Sequence, residues 1–249
     1  MKKFNKSLSK LMLSSTMAIL TFACAVRATE PPSETNPRES IEIAKQEQTG
    51  TETETCEKAK EEELKKAELV LIIDKSGSMS CLKSDATGSI NSFIEKQKEL
   101  PGEAYVTIVM FNNKIQTIYD RSDIKDVNPI SSNDYQPSGC TALLDAVGQT
   151  ISNISNCETS KEHKVIVFIL TDGYENASKE FDKNTVKQMI EEKTKLGWEF
   201  VFCGAEIDAF GEAQKIGINK DKVIKFERNS ESFTRTFDAL CKSACEFRR

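Results

Sequence analysis

The chain has 249 residues, 38% of them hydrophobic and 29% charged, with a formal net charge of −5. That length holds one good-sized globular domain. The charge argues against a nucleic-acid partner, because Lys and Arg alternate with acids instead of clustering on a basic face, and such alternation reads as solvated helix faces.

At the N-terminus, Lys2, Lys3, Lys6 and Lys10 precede an uncharged stretch from Leu11 to Ala25, the pattern of an export signal over residues 1–28. It is short for a membrane span. Small-residue exits follow Ala25 and Ala28, and the second is preferred. Thr21-Phe22-Ala23-Cys24 also resembles a bacterial lipoprotein box, so a lipid anchor through Cys24 stands as the alternative to a cleaved soluble form. Residues 29–66 are rich in Pro, Glu, Thr, Ser and Lys with almost no large apolar side chains. Such a segment has too little to bury to offset its ordering entropy, and it reads as a polar tether ahead of a domain at 67–249.

The domain opens on the apolar run Leu69 to Ile73, expected as a buried strand. A helix is expected over 85–100, with Ile90, Phe93 and Ile94 at helical spacing, stopped by Pro101-Gly102. Tyr105 to Phe111 reads as a covered strand and Ile115 to Tyr119 as its hairpin partner after Asn112-Asn113; 120–139 reads as a long polar connection. Helices are expected over 141–154, 185–196, 208–216 and 232–245. Between and beside them, strands are expected over 164–170, 198–203 and 223–226. Apart from the hairpin, strands alternate with helices, which predicts an α/β fold: a Rossmann-like, doubly wound, mostly parallel sheet with one antiparallel edge strand and helices on both faces. Such sheets place their sites beyond the carboxyl ends of the strands, where strand order reverses.

Asp74-Lys75-Ser76-Gly77-Ser78 follows the first strand, Gly139-Cys140-Thr141 opens a helical stretch, and Thr171-Asp172-Gly173 follows the strand at 164–170. Oxygen ligands from loops converging at strand ends suit a small hard cation, which takes about six oxygens and keeps some of its waters. Asp74 and Asp172 would supply the charge, with Ser76, Ser78 and Thr141 as neutral donors. The capped-turn reading of Asp74, Ser76 and Ser78 competes only while they are taken alone. Asp145 reads as a solvated or capping acid, Trp198 as core, and Met79 and Tyr174 as an apolar rim or ordinary loop packing.

These residues, in this order, resemble the von Willebrand factor type A domain with its metal ion-dependent adhesion site, over roughly Glu68 to Cys245. The family's D-x-S-x-S corresponds to Asp74, Ser76 and Ser78, its Thr to Thr141 and its later Asp to Asp172. The resemblance implies one divalent cation, usually Mg2+ with Mn2+ or Ca2+ also accepted, and a protein partner that presents Asp or Glu to an open coordination position. Phe202 to Phe210 is similar to a looser stretch of small bacterial and phage members, with Glu206 replacing Asn. An exported binding module follows, placed in the periplasm, on the cell surface or outside the cell. The alternatives are an intracellular scaffold for an ATPase and a magnesium-dependent phosphotransfer enzyme, the latter disfavoured because Ser76 stands where a second carboxylate is needed. The eight cysteines leave pairing open. Cys56 could join Cys241 or Cys245 across the domain's ends, and Cys81 and Cys140 are either a bridge beside the site or incidental thiols. Cys203 reads as a small buried hydrophobe. Zinc is a weak reading, with no C-x-x-C pair and a single histidine, His163.

Overall fold

The computed structural model describes residues 66–157, 162–205 and 208–249. The expected export signal, Cys24, Cys56, Glu206 and all of the tether before Lys66 lie outside the described residues. Six strands form one sheet: β1 (Ala67–Asp74), β2 (Ala104–Phe111), β3 (Ile115–Asp123), β4 (Lys164–Thr171), β5 (Glu199–Ala205) and β6 (Val223–Phe226), in the order β3-β2-β1-β4-β5-β6. Only β3 runs antiparallel, as the hairpin partner of β2. The mostly parallel sheet with one antiparallel edge strand is the architecture that the alternation of apolar runs and helical periods predicts.

Side chains of a strand alternate between faces, and a sheet covered on both sides needs apolar residues at every position. In β1 and β4, Leu69, Leu71, Ile73, Ile166, Phe168 and Leu170 pack into one layer with Ile90, Phe93, Phe233 and Phe237. These come from α1 (Lys83–Lys98) and α5 (Ser230–Phe247). Val70, Ile72, Val165, Val167 and Ile169 fill the opposite layer with Val147, Ile151, Val186 and Ile190 of α2 (Leu143–Ser155) and α3 (Lys183–Lys195). Ala209 and Ala213 of α4 (Ala209–Lys215) join that second layer. Trp198 and Cys203 are buried core residues, as read from sequence.

Three local expectations need correction. The connection after β3 is not simply polar: β3 continues to Asp123, a 3-10 turn follows at Ile124–Asp126, and Ile124, Val127, Ile130 and Tyr135 are buried. Isolated apolar residues spaced through polar ones show no periodicity, yet here each folds back onto the layer beneath α1. Helix α2 starts at Leu143 rather than at Thr141, with Ala142 as its N-cap. Thr141 is drawn off the helix because its N–H donates to Asn176 Oδ1 at 2.9 Å while its carbonyl accepts from Asn176 N at 3.0 Å. Met79 belongs to the core instead of an apolar rim, whereas Tyr174 is exposed.

Candidate metal centre

The chain leaves β1 for β2 and β3 on one side and returns to β4 on the other, so the strand order reverses between β1 and β4. The carboxyl ends of those two strands flank the crevice such sheets use for ligands. Ile73 pairs with Leu170, which sets Asp74 beside Thr171 and Asp172 just beyond.

Asp74 is buried and held at both oxygens: Ser76 N–H donates to Oδ1 and Thr171 Oγ1 to Oδ2, each at 2.6 Å. Its backbone carbonyl accepts from the fully buried Tyr135 hydroxyl at 2.6 Å. The Ser76 and Ser78 hydroxyls lie 3.0 Å apart, and Ser78 Oγ donates to Asp172 Oδ1 at 2.6 Å. A 3-10 turn at Gly77–Leu82 carries Ser78 away from the strand end. Thr141 closes the group from the third segment: a methyl group placed on Gly173 would sit 3.4 Å from Thr141 Oγ1 and 3.8 Å from Ser78 Oγ. The two hydroxyls therefore bound the same small space, left open because residue 173 has no side chain. The loop bearing Thr141 is laced to the first segment by Ser138 N–H to Lys75 O at 2.9 Å and Gly77 N–H to Gly139 O at 3.0 Å. Gly139 has φ +74°, and a Cβ there would meet Asn113 Oδ1 at 2.4 Å, so only glycine fits this crossing.

The electrostatics are those of a site short of positive charge. Burial, above all, pushes Asp74 up to about 6, with the neighbouring Asp172 charge acting in the same direction against the hydrogen bonds from Thr171 and Ser76. Tyr135 is driven well above its usual range by burial and by Asp74 and Asp172. Asp172 Oδ2 is buried and accepts no hydrogen bond among the described residues. Arg228 Nε comes to 3.2 Å from it without hydrogen-bonding geometry, while Arg228 Nη2 donates to the Asp172 carbonyl at 2.6 Å. Two buried carboxylates with a single guanidinium against them, together with three hydroxyls, fit a hard divalent cation, since buried anionic oxygens are stable only with a counter-charge. Asp74, Ser76, Ser78, Thr141 and Asp172 are the residues that would hold such an ion. Beside them runs a groove of ≈600 Å³ lined by Lys114, Cys140, Asp145, Gln149 and Lys179 among others.

Tyr135 and Asn176 escape sequence reasoning, and so do Arg228 and the role of Asp145. Arg228 lies 56 positions beyond Asp172 in a polar loop after β6 and carries no motif signal. Asp145, read as a solvated or capping acid, is largely buried and accepts from Lys179 N–H, Glu180 N–H and Phe181 N–H at 2.8, 2.9 and 2.9 Å. It fixes the loop after Asp172 rather than its own helix.

Cys81, Cys140, Cys203, Cys241 and Cys245 are free thiols, and Cys81 and Cys140 are exposed. Burial pushes Cys241 up to about 11 and Cys203 beyond the ordinary thiol range. At pH 8 only ~0.1% of a thiol with such a pKa is the reactive thiolate. Brief iodoacetamide treatment of the native protein is expected to label Cys81 and Cys140 well before Cys203 and Cys241 in peptide mass mapping. Equal labelling of Cys203 and Cys81 would contradict the placement of β5.

The sequence model of the von Willebrand factor type A domain matches residues 68–239. The chain belongs to this family. No curated protein sequence matches it. Among solved structures, it is similar to proximal thread matrix protein 1 from the mussel byssus: TM-score 0.58 at 15% identity, covering 73% of this chain and 46% of that one. The chain thus spans less than half the length of that relative. A second structure of the same protein, with a zinc-occupied MIDAS motif, gives a TM-score of 0.56 at 18% identity over the same shares. The pilus adhesin SpaC of Lactobacillus rhamnosus GG, in its open conformation, gives 0.58 at 12% identity, covering 73% of this chain and 30% of that one. At these identities the likeness is one of fold.

Proposed function

We propose that the chain is an exported protein-binding module in which Asp74, Ser76, Ser78, Thr141 and Asp172 hold one hard divalent cation, Mg2+ in the first instance with Mn2+ or Ca2+ as substitutes, for capture of an aspartate or glutamate of a partner protein. The observation that carries this reading is a buried Asp172 Oδ2 that accepts no hydrogen bond among the described residues, beside the linked Ser76, Ser78 and Asp172 oxygens at the switch point of the sheet. A bound cation would supply a Lewis-acidic position open to a carboxylate oxygen. The protein's part is to pre-orient the donors: Thr171 and the Ser76 amide fix Asp74, and Asn176 fixes the backbone of Thr141. An all-oxygen donor set favours hard ions, while the zinc-occupied MIDAS motif of the mussel byssus protein supports a divalent ion at this place in the fold. Export rests on the Lys-led apolar segment at 1–28. Binding without bond-making is the role these groups suit, since Ser76 replaces the second carboxylate of an aspartate-based phosphotransferase.

A cation that binds only the folded chain stabilises it by about 2.7 kcal/mol at a hundred times its dissociation constant. For a domain of this size that raises Tm by roughly 5–10 °C. Thermal unfolding of the full chain with Mg2+, Mn2+, Ca2+ or Zn2+ against EDTA is expected to show this shift, and the Ser76→Ala/Ser78→Ala variant to lose most of it. A Tm indifferent to every ion would refute the metal site. Partners captured equally with and without EDTA would refute metal-mediated binding.

A further inference from the structure

Arg228 touches the centre without belonging to the motif. Its guanidinium reaches from the loop between β6 and α5, with Nη2 on the Asp172 carbonyl at 2.6 Å and Nε 3.2 Å from Asp172 Oδ2. The same Oδ2 is the buried oxygen that accepts no hydrogen bond. The Arg228 side chain is about one-third exposed while that of Asp172 is sealed. Of the other basic groups at this end, Lys75 Nζ donates to Gln116 and Lys83 Nζ to Gln136, while Lys114 and Lys179 line the groove beside the site.

We infer that Arg228 is a resident positive charge that loosens the centre's hold on its cation and in exchange strengthens its hold on an anionic ligand; the inference rests on the metal reading above. The argument is a charge count. Asp74 and Asp172 contribute two negative charges when ionised, and a divalent cation would bring that pair to neutrality, leaving an incoming carboxylate nothing to neutralise. With Arg228 in contact, the pair and the guanidinium carry one net negative charge, so the loaded centre carries one net positive charge. One carboxylate from a partner cancels it. The repulsion between Arg228 and a divalent ion a few ångströms away opposes metal binding, and the attraction to an anion favours the ligand that follows. Even largely screened by solvent, a charge pair of this kind changes a dissociation constant by about tenfold. The contacts of Arg228 to Asp172 are polar, and comparing Arg228→Gln with Arg228→Lys separates the loss of charge from the loss of the guanidinium's bond to the Asp172 carbonyl.

The test is Mn2+ binding to the full chain, followed by the electron paramagnetic resonance of free Mn2+, for wild type, Arg228→Gln and Arg228→Lys, each with and without acetate as the carboxylate probe. Arg228→Gln is expected to bind Mn2+ about tenfold more tightly than wild type and to lose most of the gain in Mn2+ affinity that acetate gives wild type. Arg228→Lys keeps the charge and is expected to stay near wild type in both respects. Unchanged or weaker Mn2+ binding by Arg228→Gln overturns the inference, as does an Arg228→Lys variant that behaves like Arg228→Gln, which would make the guanidinium a positioning group for Asp172. Failure of wild type to take up Mn2+ at all would fall on the metal reading itself and is distinguishable from either result.

Discussion

Replacing Glu68 with alanine is expected to lower the free energy of unfolding by about 3–5 kcal/mol, the range for breaking a buried ion pair from one side. Glu68 is the second residue of β1, at the end of the sheet opposite the metal centre, and its side chain is sealed from solvent. Its Oε1 accepts from Arg121 Nε at 2.9 Å, contacts Arg121 Nη2, and lies 2.9 Å from His163 Nδ1. Arg121 is itself mostly buried, and it adopts φ +46°, a left-handed backbone rare for a residue with a side chain. That conformation is held by its N–H bond to Thr107 Oγ1 at 3.1 Å, where the β2–β3 register slips. The His163 ring stacks on Tyr105 with centroids 5.3 Å apart. Removing Glu68 takes this carboxylate from the buried guanidinium and from the imidazole, and β3 loses a side-chain tie to β1, from which β2 separates it in the sheet. Urea unfolding of Glu68→Ala measures the loss, and a change below about 1 kcal/mol would show that water replaces the carboxylate without cost. The double variant Glu68→Met/Arg121→Met is expected to be less damaged than Glu68→Ala, because no unpaired charge stays buried.

That cluster also shows where reading the chain ends. Strands β1 and β4 were legible because a parallel sheet covered on both faces demands unbroken apolar runs, and Leu69–Ile73 and Val165–Leu170 supply them. Asp74 and Asp172 were legible because they follow such runs, and strand ends at a reversal of order are where polar residues are free to converge. Glu68, Arg121 and His163 lie in three separate segments, and each alone looks like a surface charge. Their pairing depends on register between strands, which no local pattern encodes. Tyr135 was hidden in the same way: one aromatic residue in a polar connection gives no periodicity, yet its hydroxyl meets the last carbonyl of β1. The exposed share of Arg228 and the burial of Asp145 likewise follow from packing between helices and loops far apart in the chain.

Asp145→Ala is expected to cost about 3 kcal/mol, from the loss of charge-assisted bonds to three neighbouring amides. The exchange between α2 and the loop at 174–181 runs both ways. Glu175 Oε2 accepts from Leu144 N–H at 3.0 Å and Ser178 Oγ from Asp145 N–H at 3.0 Å, so first-turn amides of α2 that no helical carbonyl can reach are capped from outside. Glu175 Oε1 in turn accepts from Ala177 N–H and Ser178 N–H at 2.8 and 2.7 Å. Phe181 lies so close against Gly148 that a Cβ there would fall 2.4 Å from its ring, which leaves the loop one seating on the helix. Asn176, within the same loop, is the group that holds the backbone of Thr141. Loss of the Asp145 carboxylate should therefore reach the centre through Asn176 and Thr141 as well as lower stability. Amide hydrogen exchange of Asp145→Ala is expected to lose protection at Lys179, Glu180 and Phe181 first, then at Thr141, while the β4 amides change only with global stability. Retained protection at those loop amides would mean that Glu175 and Gly148 suffice to seat the loop, and that Asp145 is dispensable to the geometry of Thr141.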